Sequence, residues 1–191
     1  SATSHKILAA ALALTAIVSC KPASRSPYLG AAEQAAAWIR TSGIRTPEGT
    51  SWPAVPQDRE SVTFDLYSGV PGVVLFFIQA YQSTGNPADL EDARAGADFL
   101  LSKADSISGM GLYEGLSGVA FALEEAYKAA KDERFHRGFL AGLERIKAAA
   151  SAAGTGVEWG TTTDIISGGA GTGLFLIYAF RETRDRACLD L

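Results

Sequence analysis

From Val73 to Ile78, from Val119 to Leu123 and from Leu174 to Tyr178 the chain is almost purely apolar. After the first two runs the apolar positions thin to helical spacing: Leu90, Ala93, Ala97, Leu100 and Leu101, then Phe135, Phe139, Leu143 and Ile146. The first pattern predicts a helix buried on several sides, the second an amphipathic helix with one buried face. Charged residues fill the remaining positions of the second kind. Arg94 and Asp98 stand one turn apart, a spacing that lets them pair on the helix surface. Asn86-Pro87 breaks the first helical hairpin and supplies an early-helix proline.

Each apolar run is led by two glycines. "YSGVPGVVLFFIQAY" (67–81) and "YEGLSGVAFALEEAY" (113–127) agree at Tyr, Gly, Gly, Val, Ala and Tyr. "ISGGAGTGLFLIYAF" (166–180) fits the same frame through Gly168, Gly171 and Ala179. The leading glycines, Gly69, Gly115 and Gly168, are 46 and 53 residues apart, a period that signals stacked supersecondary units. Each unit reads as an inner, buried helix followed by an outer, half-buried one. Repeated around an axis, this predicts an all-α fold, an α/α toroid, with about three helical hairpins of an incomplete ring. Gly72, Gly118 and Gly171 lie about one turn beyond the leading glycines. Lacking Cβ, both glycines of each pair are expected to take positive φ in a tight loop and to let neighbouring inner helices approach. A phosphate loop is a poor reading: no Lys-Ser/Thr follows the glycines and no strand precedes them. A membrane span needs about 18 consecutive apolar residues, more than any of these runs has.

The N-terminus has a different character. His5-Lys6 precedes "ILAAALALTAIV" (7–18), an apolar core that is short for a spanning helix and suits an export signal. It ends in Ile17-Val18-Ser19-Cys20, which resembles the lipobox of bacterial lipoproteins. The resemblance implies lipidation at Cys20 and a membrane-anchored protein of the cell envelope. A plain cleaved signal with a chance cysteine is the alternative. The expected organisation is a signal over 1–19, a linker over 20–28 and the helical domain over 29–191.

Across 191 residues the net charge is −4, with no basic stripe for nucleic acid. Two cysteines, Cys20 and Cys188, and two histidines, His5 and His136, are scattered without metal-ligand spacing. No metal site is expected within this chain.

The motifs "LYSGVPGVVLFF", "GLYEGLSGVAFAL" and "TDIISGGAGTGLFLI" together resemble the lanthionine synthetase C-like family over roughly Phe64 to Phe180. That resemblance implies a toroid of seven inner and seven outer helices, with the active site at the inner-helix N-termini. It also implies a zinc ion, held by two cysteines and a histidine, that binds a substrate peptide's cysteine as thiolate. The thiolate adds to a dehydrated Ser or Thr, giving a thioether, and an acid–base group protonates the enolate. The family's metal ligands lie in later repeats, and this chain has no matching motif, so zinc is expected only in a full-length member. Three and a half hairpins do not close such a ring. At about 50 residues per hairpin it needs roughly 350 residues. The expectation is an N-terminal part of a longer protein; a half-toroid that dimerises is the alternative.

Asp164 stands four residues before Gly168, where the family pattern has an acid lining the catalytic site. By that resemblance it is the candidate catalytic residue; a loop or N-cap acid is the structural alternative. Asp65 holds the same register before Gly69, with Gly111 in the middle unit. Trp52 and Trp159 lie in loops that lead to inner helices. Asp65, Trp52 and Trp159 are candidate substrate contacts, with capping and packing as the alternatives. Trp38 reads as core. The turn-rich stretch 43–63 reads as a loop that covers the mouth or moves freely. His136, between Arg134 and Arg137, reads as part of a solvated face, and Cys188 as a buried small hydrophobe. Tyr67 and Tyr113 read as packing between inner helices.

The functional expectation is an exported lanthionine synthetase C-like protein acting on a peptide. Two other classes share the fold: a non-catalytic envelope toroid that binds peptide or protein, and a carbohydrate-active toroid using paired carboxylates.

Overall fold

The computed structural model describes residues 26–191, so the expected signal, Cys20 and most of the expected 20–28 linker lie outside the described residues. The described chain is all-α apart from two short β-hairpins. Inner helices α2 (Val70–Thr84), α4 (Leu116–Ala130) and α6 (Gly169–Thr183) stand side by side. Outer helices α1 (Pro27–Ser42), α3 (Pro87–Lys103) and α5 (Glu133–Ala148) form the second layer. The core fills the space between the layers with Phe77, Ile78, Leu100, Leu123, Phe135 and Phe139, all essentially inaccessible to solvent.

The repeat extends to the turns between inner and outer helices. Each inner helix ends on a left-handed residue: Gly85 (φ 70°), Lys131 (φ 55°) and Arg184 (φ 62°). Each next residue caps the following element with its side chain. Asn86 accepts from Ala88 N, Asp132 from Arg134 N and Asp185 from Ala187 N. Such caps satisfy helix donors that lack an intrahelical partner. Asp185 caps a short 3-10 turn (Arg186–Cys188), in which Cys188 is buried.

The stretch 43–63 is not a cover over the mouth. It forms β1 (Ile44–Thr46) and β2 (Gly49–Ser51), an antiparallel hairpin laid against α3. Gly49 (φ 138°) is needed there: a Cβ would run into the backbone of Ala95 and Phe99. An equivalent hairpin, β3 (Ser151–Ala153) and β4 (Gly156–Glu158), follows α5.

Several expectations are corrected. Trp38 is 58% exposed on α1 rather than core, because no described element packs over that face. Arg94 does not pair with Asp98. It reaches across to Ala130 O and Asp132 on the α5 side, while Asp98 pairs with Arg134. His136 does not stand on a freely solvated face: its Nδ1 lies 2.7 Å from the buried carboxylate of Glu124. The inner helices are not all buried all round. Ile78 of α2 is 1% exposed, but Ile177, at the same register of α6, is 52% exposed.

Candidate functional site

The three loops that lead into α2, α4 and α6 share one end of the molecule and are joined edge to edge. Leu66 N donates to Tyr113 O at 2.8 Å, and Tyr113 N donates to Ile166 O at 2.9 Å. Each loop enters its helix through a glycine N-cap: Gly69, Gly115 or Gly168. The φ values of these glycines, −101°, −166° and −103°, are not positive, so the expected left-handed turn is absent. The glycines serve close approach instead. Built Cβ atoms at Gly72, Gly118 and Gly171 would collide with the carbonyl oxygens of Leu66, Leu112 and Ile165. At Gly118 and Gly171 the space is also limited by Leu66 and Leu112 of the preceding loop, each 3.0 Å from a built Cβ. Thus each loop folds over its own helix and seats a leucine against the next one.

Asp65 and Asp164 occupy matching positions and do the same local work. Asp65 Oδ1 accepts from Tyr67 N (3.1 Å) and Ser68 N (2.6 Å). Asp164 Oδ1 accepts from Ile166 N (2.6 Å) and Ser167 N (2.9 Å). For Asp164 the Ser167 and Ile166 amides hold the carboxyl below its ordinary pKa. For Asp65 partial burial opposes ionisation, but hydrogen bonds from Ser68 and Tyr67 outweigh it and the pKa is lowered. Both groups are therefore ionised at neutral pH; Asp164 has one oxygen committed to its own loop, and Asp65 has both, since Ser68 Oγ also donates to its Oδ2 at 3.0 Å.

The middle unit has no acid at this register because none would fit. A Cβ at Gly111 would strike the backbone of Ser167. The middle unit supplies Glu114 instead, which the register argument missed because it lies one residue before Gly115. Tyr67 and Tyr113 do not wedge between helices as expected. Their rings meet at the rim, centroids 5.5 Å apart, with Tyr67 58% exposed. Burial and the charges of Glu114, Asp65 and Asp164 all push the Tyr67 hydroxyl pKa up. Three carboxylates thus gather around an aromatic pair. Beside them a cleft of about 360 Å³ is lined by Phe64, Asp65, Ile107, Gly109 and Glu114.

The two tryptophans stand apart from this group. Trp52, directly after β2, is 3% exposed and packs on Phe77 at 5.6 Å, so it belongs to the core and not to the mouth. Trp159, directly after β4, is half-buried and donates Nε1–H to Ile146 O at 2.7 Å, tying its loop to α5. The structure brings Asp65 and Asp164 to the rim and leaves Trp52 behind.

No helix among the described residues is long and apolar enough to cross a membrane. No curated protein and no solved structure matches the chain. The family model described as "Lanthionine synthetase C-like protein" matches residues 60–190, which take in all three glycine loops, their inner helices and the outer helices α3 and α5. The chain belongs to the lanthionine synthetase C-like family.

Proposed function

We propose that this chain forms the first units of an exported, Cys20-anchored toroid whose complete form joins a peptide cysteine to a dehydrated Ser or Thr. The observation that carries the reading is the rim itself. Three loops, each seated by a glycine pair, bring Asp65, Glu114 and Asp164 to one end of the inner helices. The open flank of α6 supports further units. Leu174 and Ile177 are about half exposed there, where the equivalent Ile78 is covered.

The described residues do not fit the zinc that the family implies. Among them no three His, Cys, Asp or Glu side chains are grouped to hold a metal. Cys188 is buried in the turn after α6, and His136 directs Nδ1 to Glu124 from an outer helix. A metal in the complete protein takes its ligands from other residues. The rim of this chain has a narrower task. Asp164 and Asp65 are ionised and partly committed to backbone amides, so they are weak bases and poor proton donors. They shape the loops and present negative charge and acceptor oxygens to a bound peptide.

That commitment favours a second reading, an envelope toroid that binds peptide without reacting. One experiment separates the two. The complete gene product is incubated with a dehydrated, cysteine-containing peptide and followed by mass spectrometry after thiol alkylation, with its zinc content measured. Loss of the alkylatable thiol, with one zinc per chain, supports the cyclase. Peptide binding without loss of the thiol supports the binding toroid, and neither binding nor reaction sinks both.

A further inference from the structure

We propose that Glu124 and His136 form a proton-controlled clasp between inner helix α4 and outer helix α5. Nine residues after the leading glycine, α2 has Ile78 and α6 has Ile177, but α4 has Glu124. Glu124 is only 3% exposed, so a carboxylate occupies a seat that the neighbouring units fill with isoleucine. Its one hydrogen bond among the described residues is to His136 Nδ1, at 2.7 Å. The imidazole is held in place by Tyr127, centroids 4.9 Å apart, and Phe139, at 5.8 Å.

A buried carboxylate without a partner is costly, and a charged donor compensates it better than a neutral one. When His136 carries both ring protons, Nδ1–H donates as a cation and the pair is an ion pair. When His136 is neutral, the same bond survives in one tautomer only and the carboxylate charge stays uncompensated. The other charges nearby do not replace it. On Glu124, Glu182 of α6 and Lys128 of α4 act with opposite sign, and they pair with each other. Lys128 also pairs with Glu125, and Glu125 accepts from Tyr178 of α6. The Tyr127 hydroxyl faces Glu133 of α5 as well as Glu124. Arg94 of α3 is drawn to Ala130 O and Asp132, and α2 carries no charged residue. Burial itself pushes the Glu124 carboxyl up, with His136 acting against it. The clasp is therefore an ion pair only when Glu124 is ionised and His136 carries both ring protons.

The test is urea unfolding of the whole chain at pH 5.5, 7.0 and 8.5, for wild type, Glu124→Gln and His136→Gln. The folding constant of the wild type is expected to fall by about threefold or more across this range, where imidazole side chains change charge. Both variants are expected to flatten that slope: the amide of Glu124→Gln has no charge to compensate, and His136→Gln has no imidazole proton to lose, although burial then acts on Glu124 unopposed. His5 remains in every protein, so its contribution cancels. A wild-type slope that persists in the variants, or a wild type with no slope, would overturn the clasp. If one variant fails to fold, the other still decides.

Discussion

Lys131 donates its backbone N–H to Tyr127 O at 2.7 Å from a left-handed conformation that L side chains seldom adopt. Gly85 makes the same bond to Tyr81 O, and Arg184 makes it to Phe180 O. Only the first of the three turns carries the residue suited to it. A non-glycine residue there holds about 1 kcal/mol of strain. Lys131→Gly and Arg184→Gly are each expected to raise unfolding stability by about 0.5–1 kcal/mol. At Lys131 the loss of a contact with the Tyr127 ring, 6.0 Å away, offsets a little of the gain. Urea midpoints compared with wild type measure both.

Two glycines of the inner helices should respond in opposite directions to the same substitution. Gly118→Ala places a methyl against Leu112 O and the Leu66 side chain, so the loop must lift from its helix. A loss of about 2–3 kcal/mol is expected, at the upper end of what forced core collisions cost. Gly173 in α6 has no atom within 4 Å of its built Cβ. Gly173→Ala should stabilise the chain by about 0.5–1 kcal/mol through helix propensity. Thermal melting of the two variants side by side is the check, and equal shifts would contradict the close-approach account.

Arg40 of α1 anchors the start of α3. Its guanidinium lies 2.7 Å from Asp89, a carboxylate only 3% exposed, and also bonds Asp92. Removing the cation leaves Asp89 buried beside Thr84 alone. Arg40→Met is expected to cost about 2 kcal/mol, less than for a fully buried pair because Arg40 is partly solvated. Arg134→Met removes exposed pairs with Asp98 and Asp132 and should cost about 0.5 kcal/mol or less. Similar losses at the two positions would refute the ranking.

Asp65 and Asp164 give the rim an acid limit. Their folded pKa values are depressed, so the stability they contribute is present above the ordinary carboxylate range and is lost as pH falls through the depressed values. Asp65→Ala should cost about 1 kcal/mol at neutral pH, as cap deletions do, and should flatten the acid limb of the pH–stability curve. Asp65→Asn keeps an acceptor oxygen and should recover part of the neutral-pH loss without the acid dependence. An acid limb that is unchanged in both variants would assign acid sensitivity to other groups.

The helices were legible from local chemistry. Apolar runs after glycine pairs mark α2, α4 and α6, and the spaced apolar positions mark α3 and α5. The rim position of Asp65 and Asp164 follows from the same register. What escaped was mostly non-local. Trp52 lies in a loop by sequence and in the core by packing, because the β1–β2 hairpin turns its chain inward against α3 and Phe77. The hairpins themselves are three residues per strand, too short for an alternating pattern to show. The turn symmetry of Gly85, Lys131 and Arg184, each followed by Asn86, Asp132 or Asp185, was present in the sequence but masked by the change of residue type.

By itself the sequence determined the repeat, the order of inner and outer helices and the family, since each rests on spacing along one segment of chain. Only the tertiary structure decided partners and purpose. Arg94 bypasses Asp98, four residues away, for Asp132, and His136 meets Glu124 across a helical hairpin. Gly118 is required not by its own φ but by a carbonyl of its own loop and a leucine of the preceding one. The physical reason is the same in each case. A helix sets which face a side chain leaves from, but the helix packed against that face sets what it meets, and that pairing is fixed by the close packing of both layers.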